Sequence, residues 1–308
     1  MSLQPIDIDP TMLRATAEAS AHAYAQSIWH IEEEIAAASG DLEPLYATLT
    51  EEGPYAYMVM PELRPDGTVK LPRITTREEI VEAYEMIRGM SDLLEVVGLT
   101  EIRGTWYTFQ DNISRACMKG DASNVHTVQT LGMFPSGSGP GITGELVWIR
   151  YRIEALGGLD EPNTIPDDPL VARARVYDNF SAYQQGLRDN DVGAVMAVLH
   201  DGISSTVRDY VEDTGTITAH QGAAVHREYY EAFFARYEVQ SVVMINQVTE
   251  DWYVFAELRI VVHPRVGSGT LAFHTAEFWI PAKTGKFIAR IGHGTEPAHP
   301  NNRQSECL

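Results

Sequence analysis

Trp106-Tyr107-Thr108-Phe109 and Trp252-Tyr253-Val254-Phe255 are one pattern met twice, 146 residues apart. The surrounding sequence repeats with them. Ile80 and Tyr84 recur as Val225 and Tyr229 at an offset of 145, and Val96-Val97 recurs as Val242-Val243, again at 146. Three anchors at a nearly constant offset indicate a duplicated domain, because a period near 146 is too long for a solenoid unit. The turn-rich stretch Gly157-Gly158-Leu159-Asp160-Glu161-Pro162 lies near the midpoint of the 308 residues and reads as a linker. Domains are therefore expected over 1–160 and 161–308.

Outward from each anchor, the two halves read in the same order. In the first, Leu13, Ala17, Tyr24, Ile28, Ile31 and Ile35 are spaced for one face of a long helix. Asp41 can cap a short second helix carrying Leu42, Leu45 and Leu49. A hairpin turning at Pro65-Asp66-Gly67 comes next. Thr75 or Thr76, with Glu78 or Glu79 closing a capping box, then starts a third helix that runs to about Gly89. Strand-like runs cover 94–102, 105–119, 125–134 and 145–154. The second half gives helices over 172–188 and 192–199, a hairpin over 204–218 and a helix over 223–237. Its strands lie near 241–249, 252–263, 270–280 and 287–291. Helices first and a long antiparallel meander last is an α+β pattern.

Composition sets the outer limits. Hydrophobic residues at 44% and charged residues at 21% allow ordinary globular cores. The 23 Lys+Arg against 43 Asp+Glu leave a net charge of −20, a field that repels phosphate backbones and anionic lipid. Neither nucleic acid nor membrane is an expected partner. Two cysteines, Cys117 and Cys307, form no disulfide framework and suit a reducing compartment. The N-terminus lacks a secretory pattern, and no apolar run is long enough to span a bilayer. A cytoplasmic location is expected.

Two segments carry a resemblance. Asp191-Val192-Gly193-Ala194-Val195-Met196-Ala197-Val198-Leu199 stands ahead of a hairpin, and Gly285-Lys286-Phe287-Ile288-Ala289-Arg290-Ile291 leads into the last strand. With the order of elements, they resemble the nuclear-transport-factor-2-like superfamily, especially its SnoaL-like polyketide-cyclase and dehydratase branches. The resemblance covers nearly the whole chain, twice. It implies two cone-shaped α+β barrel domains, each with helices packed on a strongly curved antiparallel sheet around a funnel. It also implies chemistry without cofactors, because a half-apolar funnel shifts the pKa values of His, Asp and Tyr enough for proton transfer near neutral pH.

Alternation assigns the walls. Trp252, Val254, Ala256, Leu258, Ile260 and Val262 form a wholly apolar row, expected to face the helices, and the mixed row from Tyr253 to His263 is expected outside. By the repeat, Trp106, Ser114, Ala116 and Met118 face inward in the first half, where smaller residues leave a roomier funnel. The ligand is expected there, and the second domain is expected to be structural or to serve oligomerisation. His126, near Thr130 and Gly132, is the candidate proton shuttle, or else a hydrogen-bonded histidine at a strand end. Arg103 is the candidate for holding an oxyanion. The resemblance implies a donor tyrosine at Tyr24 and an acidic residue at the strand position where this chain has Tyr57. The more economical reading of both tyrosines is as rim residues burying their rings. Tyr24, Trp106, Tyr151 and Trp148 are candidate substrate contacts, with Tyr57 beside the catalytic pair. His274, Glu277 and His226 are the polar residues near the second funnel.

Gly139-Pro140-Gly141-Ile142-Thr143-Gly144 matches a dinucleotide-binding pattern, but a strand follows it and no helix N-terminus is available for a pyrophosphate. The histidines show no metal spacing, His22 and His30 being eight apart. No metal or cofactor is expected. The leading function is a cofactor-independent lyase or dehydratase acting on a small aromatic or polycyclic molecule. Its concrete version has His126 shuttling a proton and Arg103 or a tyrosine stabilising the oxyanion, and a resemblance to the diarylpropane lyase branch implies removal of formaldehyde from a lignin-derived aromatic dimer. The alternatives are a polyketide-cyclase-like or steroid-isomerase-like enzyme, and a non-catalytic ligand-binding or assembly module. A homodimer or higher homo-oligomer is expected through an outer face bearing Tyr253, Phe255 and Val261.

Overall fold

A computed structural model describes residues 10–37, 41–50, 57–59, 62–63, 69–121, 123, 125–137, 139–151, 168–209, 211 and 216–295. The linker at 157–162, the turn Pro65-Asp66-Gly67 and Cys307 lie outside the described residues. The chain divides into two compact units, Met1–Met58 with Thr75–Glu145, and Val59–Ile74 with Leu146–Leu308.

The first half opens with α1 (Pro10–Ala37) and α2 (Glu43–Tyr46). The short strands β1 (Tyr57–Val59), β2 (Glu62–Leu63), β3 (Val69–Lys70) and β4 (Arg73–Ile74) follow. Then come α3 (Arg77–Met90), β5 (Ser91–Arg103), β6 (Tyr107–Met118), β7 (Val125–Pro135) and β8 (Gly144–Tyr151). Helix α3 starts at a capping box: Thr76 Oγ1 accepts the Glu79 N–H at 3.2 Å, and the Glu79 carboxylate accepts the N–H groups of Thr75 and Thr76 at 2.9 and 3.1 Å.

The second half carries α4 (Pro169–Arg188), α5 (Val192–Ala197), β9 (Leu199–Asp209) and β10 (Thr216–Gln221). It continues with α6 (Ala223–Arg236), β11 (Tyr237–Thr249), β12 (Val254–Pro264), β13 (Leu271–Pro281) and β14 (Phe287–Gly294). The carboxylates of Asp168 and Asp191 cap α4 and α5.

The two six-stranded sheets have the same plan, β4-β1-β8-β7-β6-β5 and β10-β9-β14-β13-β12-β11. In the second sheet β9 lies parallel to β14, and the other pairings are antiparallel. Bulges between Leu93 and Glu95 and between Gly98 and Thr100 recur between Val239 and Ser241 and between Met244 and Asn246, each 146 residues on. Paired bulges bend a strand and raise its twist, so both sheets curve at the same places. The fold is α+β, with helices on curved, mainly antiparallel sheets.

In the second unit, Val254, Ala256, Leu258, Ile260 and Val262 share a core with Val176, Phe180 and Leu187 of α4 and with Tyr230 and Phe234 of α6. The wholly apolar row is therefore the inner wall. One register differs between the halves. Thr108 pairs with Phe134 in the first sheet, whereas Val254, 146 residues on, pairs with Trp279 rather than with Ile280. A slip of one residue exchanges the two faces of a strand. Phe273, Thr275, Glu277 and Trp279 thus line the inner wall of the second sheet, while His126, Thr130, Gly132 and Phe134 line that of the first. Gln129 and Leu131, which match Thr275 and Glu277 by sequence offset, face the other way, where Gln129 bonds Asp111 at 3.0 Å.

Candidate functional site

The second unit encloses a cavity of about 50 Å³ between α4, α6 and the inner wall of its sheet. One water needs roughly 10–15 Å³ of such space, so several atoms fit. Leu187, Val239, Ile260, Phe233 and Phe273 supply its apolar lining, and Tyr183, Tyr230, Ser205, His220, Thr275 and Arg290 supply polar groups. Strand register explains the convergence. Ser205 pairs with His220 on one side and with Arg290 on the other, and Arg290 pairs with Trp279. His220, Ser205, Arg290 and Trp279 thus form one row across four strands, with His220 and Arg290 about 10 Å apart at the backbone.

The donors and acceptors in this row can be counted. Arg290 has only protons to give: Nε donates to Glu277 Oε2, and Nη1 donates to the Tyr230 hydroxyl at 3.4 Å. The Tyr230 and Tyr183 hydroxyls lie 3.3 Å apart. One bond between two phenols uses one of their two protons, so the other has no acceptor among the described residues. Burial pushes both phenol pKa values up, which keeps both protons in place at neutral pH. Burial works against the charge of Arg290, but the Glu277 carboxylate together with the Tyr183 and Tyr230 oxygens outweighs it and holds the pKa well above the usual value. The guanidinium also lies 4.9 Å from the Trp279 ring.

The histidines beside the row are neutral at pH 7. His226 Nδ1 lies 2.8 Å from the Gly222 carbonyl, which can only accept, so Nδ1 carries the proton. Its Nε2, 2.8 Å from Ser205 Oγ, therefore accepts the serine proton. Burial lowers the His226 pKa to about 4. Burial, then the Arg290 charge, also lowers the His220 pKa. His220 Nε2, Thr275 Oγ1 and Glu277 Oε1 are buried without a hydrogen-bond partner among the described residues. Such atoms are uncommon in native interiors, and two of them, on His220 and Thr275, belong to residues lining the cavity and point to a polar guest there.

The first unit holds a second polar cluster, away from the expected funnel residues. His30 and Glu34 stand one turn apart on α1, Thr48 follows α2, Tyr84 lies on α3 and Glu145 begins β8. The Tyr84 hydroxyl donates to Glu145 and lies 3.2 Å from His30 Nε2, which is 3.6 Å from Glu145 Oε2. Burial, then the Glu145 charge, raises the Glu34 pKa to about 7, against an opposing effect of His30. His30, Glu34 and Glu145 offer one nitrogen and two carboxylates whose ligand atoms lie within 4.8 Å of one another.

The residues singled out from sequence are scattered. Arg103 and Tyr24 do meet, the guanidinium carbon 3.5 Å from the ring centre, with Glu101 Oε1 2.5 Å from Arg103 Nε. That arginine is half exposed. His126 pairs with Ala116 and Arg103 with Thr108, at opposite ends of β6. Eight residues of strand separate those two positions, about 26 Å. Trp106 is buried, edge-on to Tyr107 at 4.9 Å. Trp148 is fully buried on the face of β8 opposite Glu145, as is Arg150, which stands 3.9 Å from Asp251 and 5.1 Å from the Trp252 ring centre. The side chains of Tyr57 and Tyr151 lie outside the described residues. Sequence reasoning missed Arg290, Tyr183 and Tyr230 as a group. It also compared His22 with His30, when the informative spacing on α1 is His30 to Glu34.

No family model matches the chain, and no curated protein matches it. Solved structures do. A Mycobacterium tuberculosis LEH-like epoxide hydrolase matches over 40% of this chain and 84% of its own, at 13% identity and a TM-score of 0.33. A Catenulispora acidiphila protein with a ketosteroid isomerase-like fold, in complex with trimethylamine, matches over 37% and 83%, at 10% identity and 0.32. A Mycobacterium tuberculosis protein in complex with estradiol-17β-hemisuccinate matches over 38% and 92%, at 11% identity and 0.33.

Proposed function

We propose that the second unit is an acid–base catalyst for a small, oxygen-bearing and otherwise apolar molecule, working by isomerisation or elimination. One observation carries this reading: the spare phenol proton of the Tyr183–Tyr230 pair and the unpartnered Nε2 of His220 belong to the lining of one cavity. The substrate oxygen accepts the phenol proton, with Arg290 reinforcing the donor from behind. Neutral His220 removes a proton from the carbon next to the substrate carbonyl whose oxygen accepts the phenol hydrogen bond, and the negative charge moves onto that oxygen. In an isomerisation, the proton returns at another carbon. In an elimination, it leaves with a neighbouring hydroxyl as water. Either course balances without an oxidant or reductant. The rings of Tyr229, Phe233 and Phe273 in the lining favour an unsaturated or aromatic substrate, as a lyase or dehydratase of aromatic compounds would need. The recurrence of α3, β5 and their bulges at an offset of 146 supports reading the halves as duplicates, of which the second holds this catalytic cavity.

The test is a thermal-shift screen of phenolic, cyclic-ketone and polyketide-like compounds, with mass spectrometry of every hit for loss of water or formaldehyde and chromatography for isomers. His220→Gln should still bind the hit and lose roughly 10²–10⁴-fold in kcat. Equal turnover by parent and variant would remove His220 from the reaction. Stabilisation without turnover in either protein would leave a binding module.

A further inference from the structure

The cluster in the first unit has more acceptors than protons. The Thr48 hydroxyl donates its single proton to the Leu45 carbonyl at 2.6 Å, so its oxygen can only accept from His30 Nδ1, also at 2.6 Å. Nδ1 therefore carries a proton, and in neutral His30 the lone pair is on Nε2. That lone pair is turned toward Tyr84 and Glu145, and the Tyr84 proton goes to Glu145. A fully buried imidazole nitrogen and the carboxyl groups of Glu34 and Glu145 thus converge, with the Tyr84 proton already committed to Glu145. A cation between them satisfies the acceptors that the Tyr84 proton does not reach.

We propose that His30 Nε2, Glu34 and Glu145 bind a divalent transition-metal ion, a site separate from the cavity of the second unit. One imidazole and two carboxylates suit zinc, manganese, iron(II) or cobalt(II) better than calcium, which takes oxygen ligands alone. Bond lengths of about 2.0–2.2 Å place donors ~3–4 Å apart around such an ion, so ligand atoms already within 4.8 Å close on it by side-chain movement alone. Thr48 supplies the outer hydrogen bond that fixes ring orientation and tautomer at many histidine metal sites. The Tyr84 hydroxyl, bonded to Glu145 Oε2 and 3.2 Å from His30 Nε2, stands beside both of these ligand atoms and orients the carboxylate.

The experiment uses full-length, tag-free protein stripped with chelator and dialysed into metal-free buffer at neutral pH. Zn²⁺, Mn²⁺ and Co²⁺ are titrated separately by calorimetry, and the cobalt sample is followed by visible absorption. One equivalent per chain is expected for at least one metal. Glu145→Gln, which keeps size and fold by circular dichroism, should weaken binding roughly 100-fold or more, and Thr48→Ala by about 10–100-fold. His263→Ala, on β12, should bind as the parent does. The proposal is overturned if the folded parent binds none of the three metals stoichiometrically, in which case a proton holds these groups together. It is equally overturned if Glu145→Gln, confirmed as folded, binds as tightly as the parent.

Discussion

Ser205 and His226 show how one hydrogen bond fixes several properties at once. With Nδ1 committed to the Gly222 carbonyl, the imidazole must accept from Ser205, and burial keeps it neutral. Ser205→Ala would leave Nε2 buried and unpaired, so a loss of roughly 1–3 kcal/mol is expected in denaturant unfolding. The pH dependence has a definite sign. The unfolded imidazole titrates near 6.5 and the folded one near 4, so the unfolded chain binds more protons between those values. Stability from this residue is fully present above pH 6.5, drains away as pH falls toward 4, and changes no further below that. The loss is on the order of 3 kcal/mol. His293, held well below the usual value by burial and by Arg208, acts in the same direction. Unfolding midpoints measured from pH 7 to pH 4 check this, and His226→Phe should flatten the curve. None of this can be read from the letters His and Ser alone. The sequence placed His226 near a funnel, but its tautomer depends on a carbonyl and a serine from other elements.

At the scale of elements, much was legible. The capping box at Thr76 and Glu79 and the inward apolar row of β12 follow from local chemistry and strand alternation, which act over a few residues. The register of β7 does not. The Trp106 and Trp252 anchors keep their spacing to the following strands, yet the pairing of β6 with β7 is one residue out of step with that of β12 with β13. Transfer by repeat offset therefore puts Gln129 and Leu131 where Thr275 and Glu277 stand, although they occupy opposite faces. Packing between helices also makes a testable demand. A Cβ at Gly186 of α4 would lie 2.9 Å from the Val195 backbone nitrogen and 3.2 Å from Ala194 Cβ on α5. Backbone cannot swing aside as a side chain can, so Gly186→Ala should destabilise the second unit by about 1–3 kcal/mol in denaturant unfolding.

At the scale of the whole molecule, two halves with one sheet plan carry different polar interiors. The second unit has a cavity with an arginine-backed phenol pair, and the first has a largely buried cluster of one histidine, two glutamates and a tyrosine. Residue sizes along one strand suggested the roomier funnel in the first half. In that half Ser27 bonds Thr108 at 2.8 Å and Gln110 bonds Glu101 at 3.2 Å, polar contacts that residue sizes along one strand do not reveal. The central claim concerns proton transfer at His220. Its most direct test follows solvent deuterium entering the carbon next to the carbonyl of a bound ketone, by NMR in D₂O, with parent, His220→Gln and His126→Gln proteins compared. The account predicts exchange in the parent and in His126→Gln, persisting through the ordinary histidine range and falling only on further acidification because burial lowers the His220 pKa, and its loss in His220→Gln. Exchange that survives in His220→Gln and disappears in His126→Gln would contradict the account and move the chemistry to the first unit.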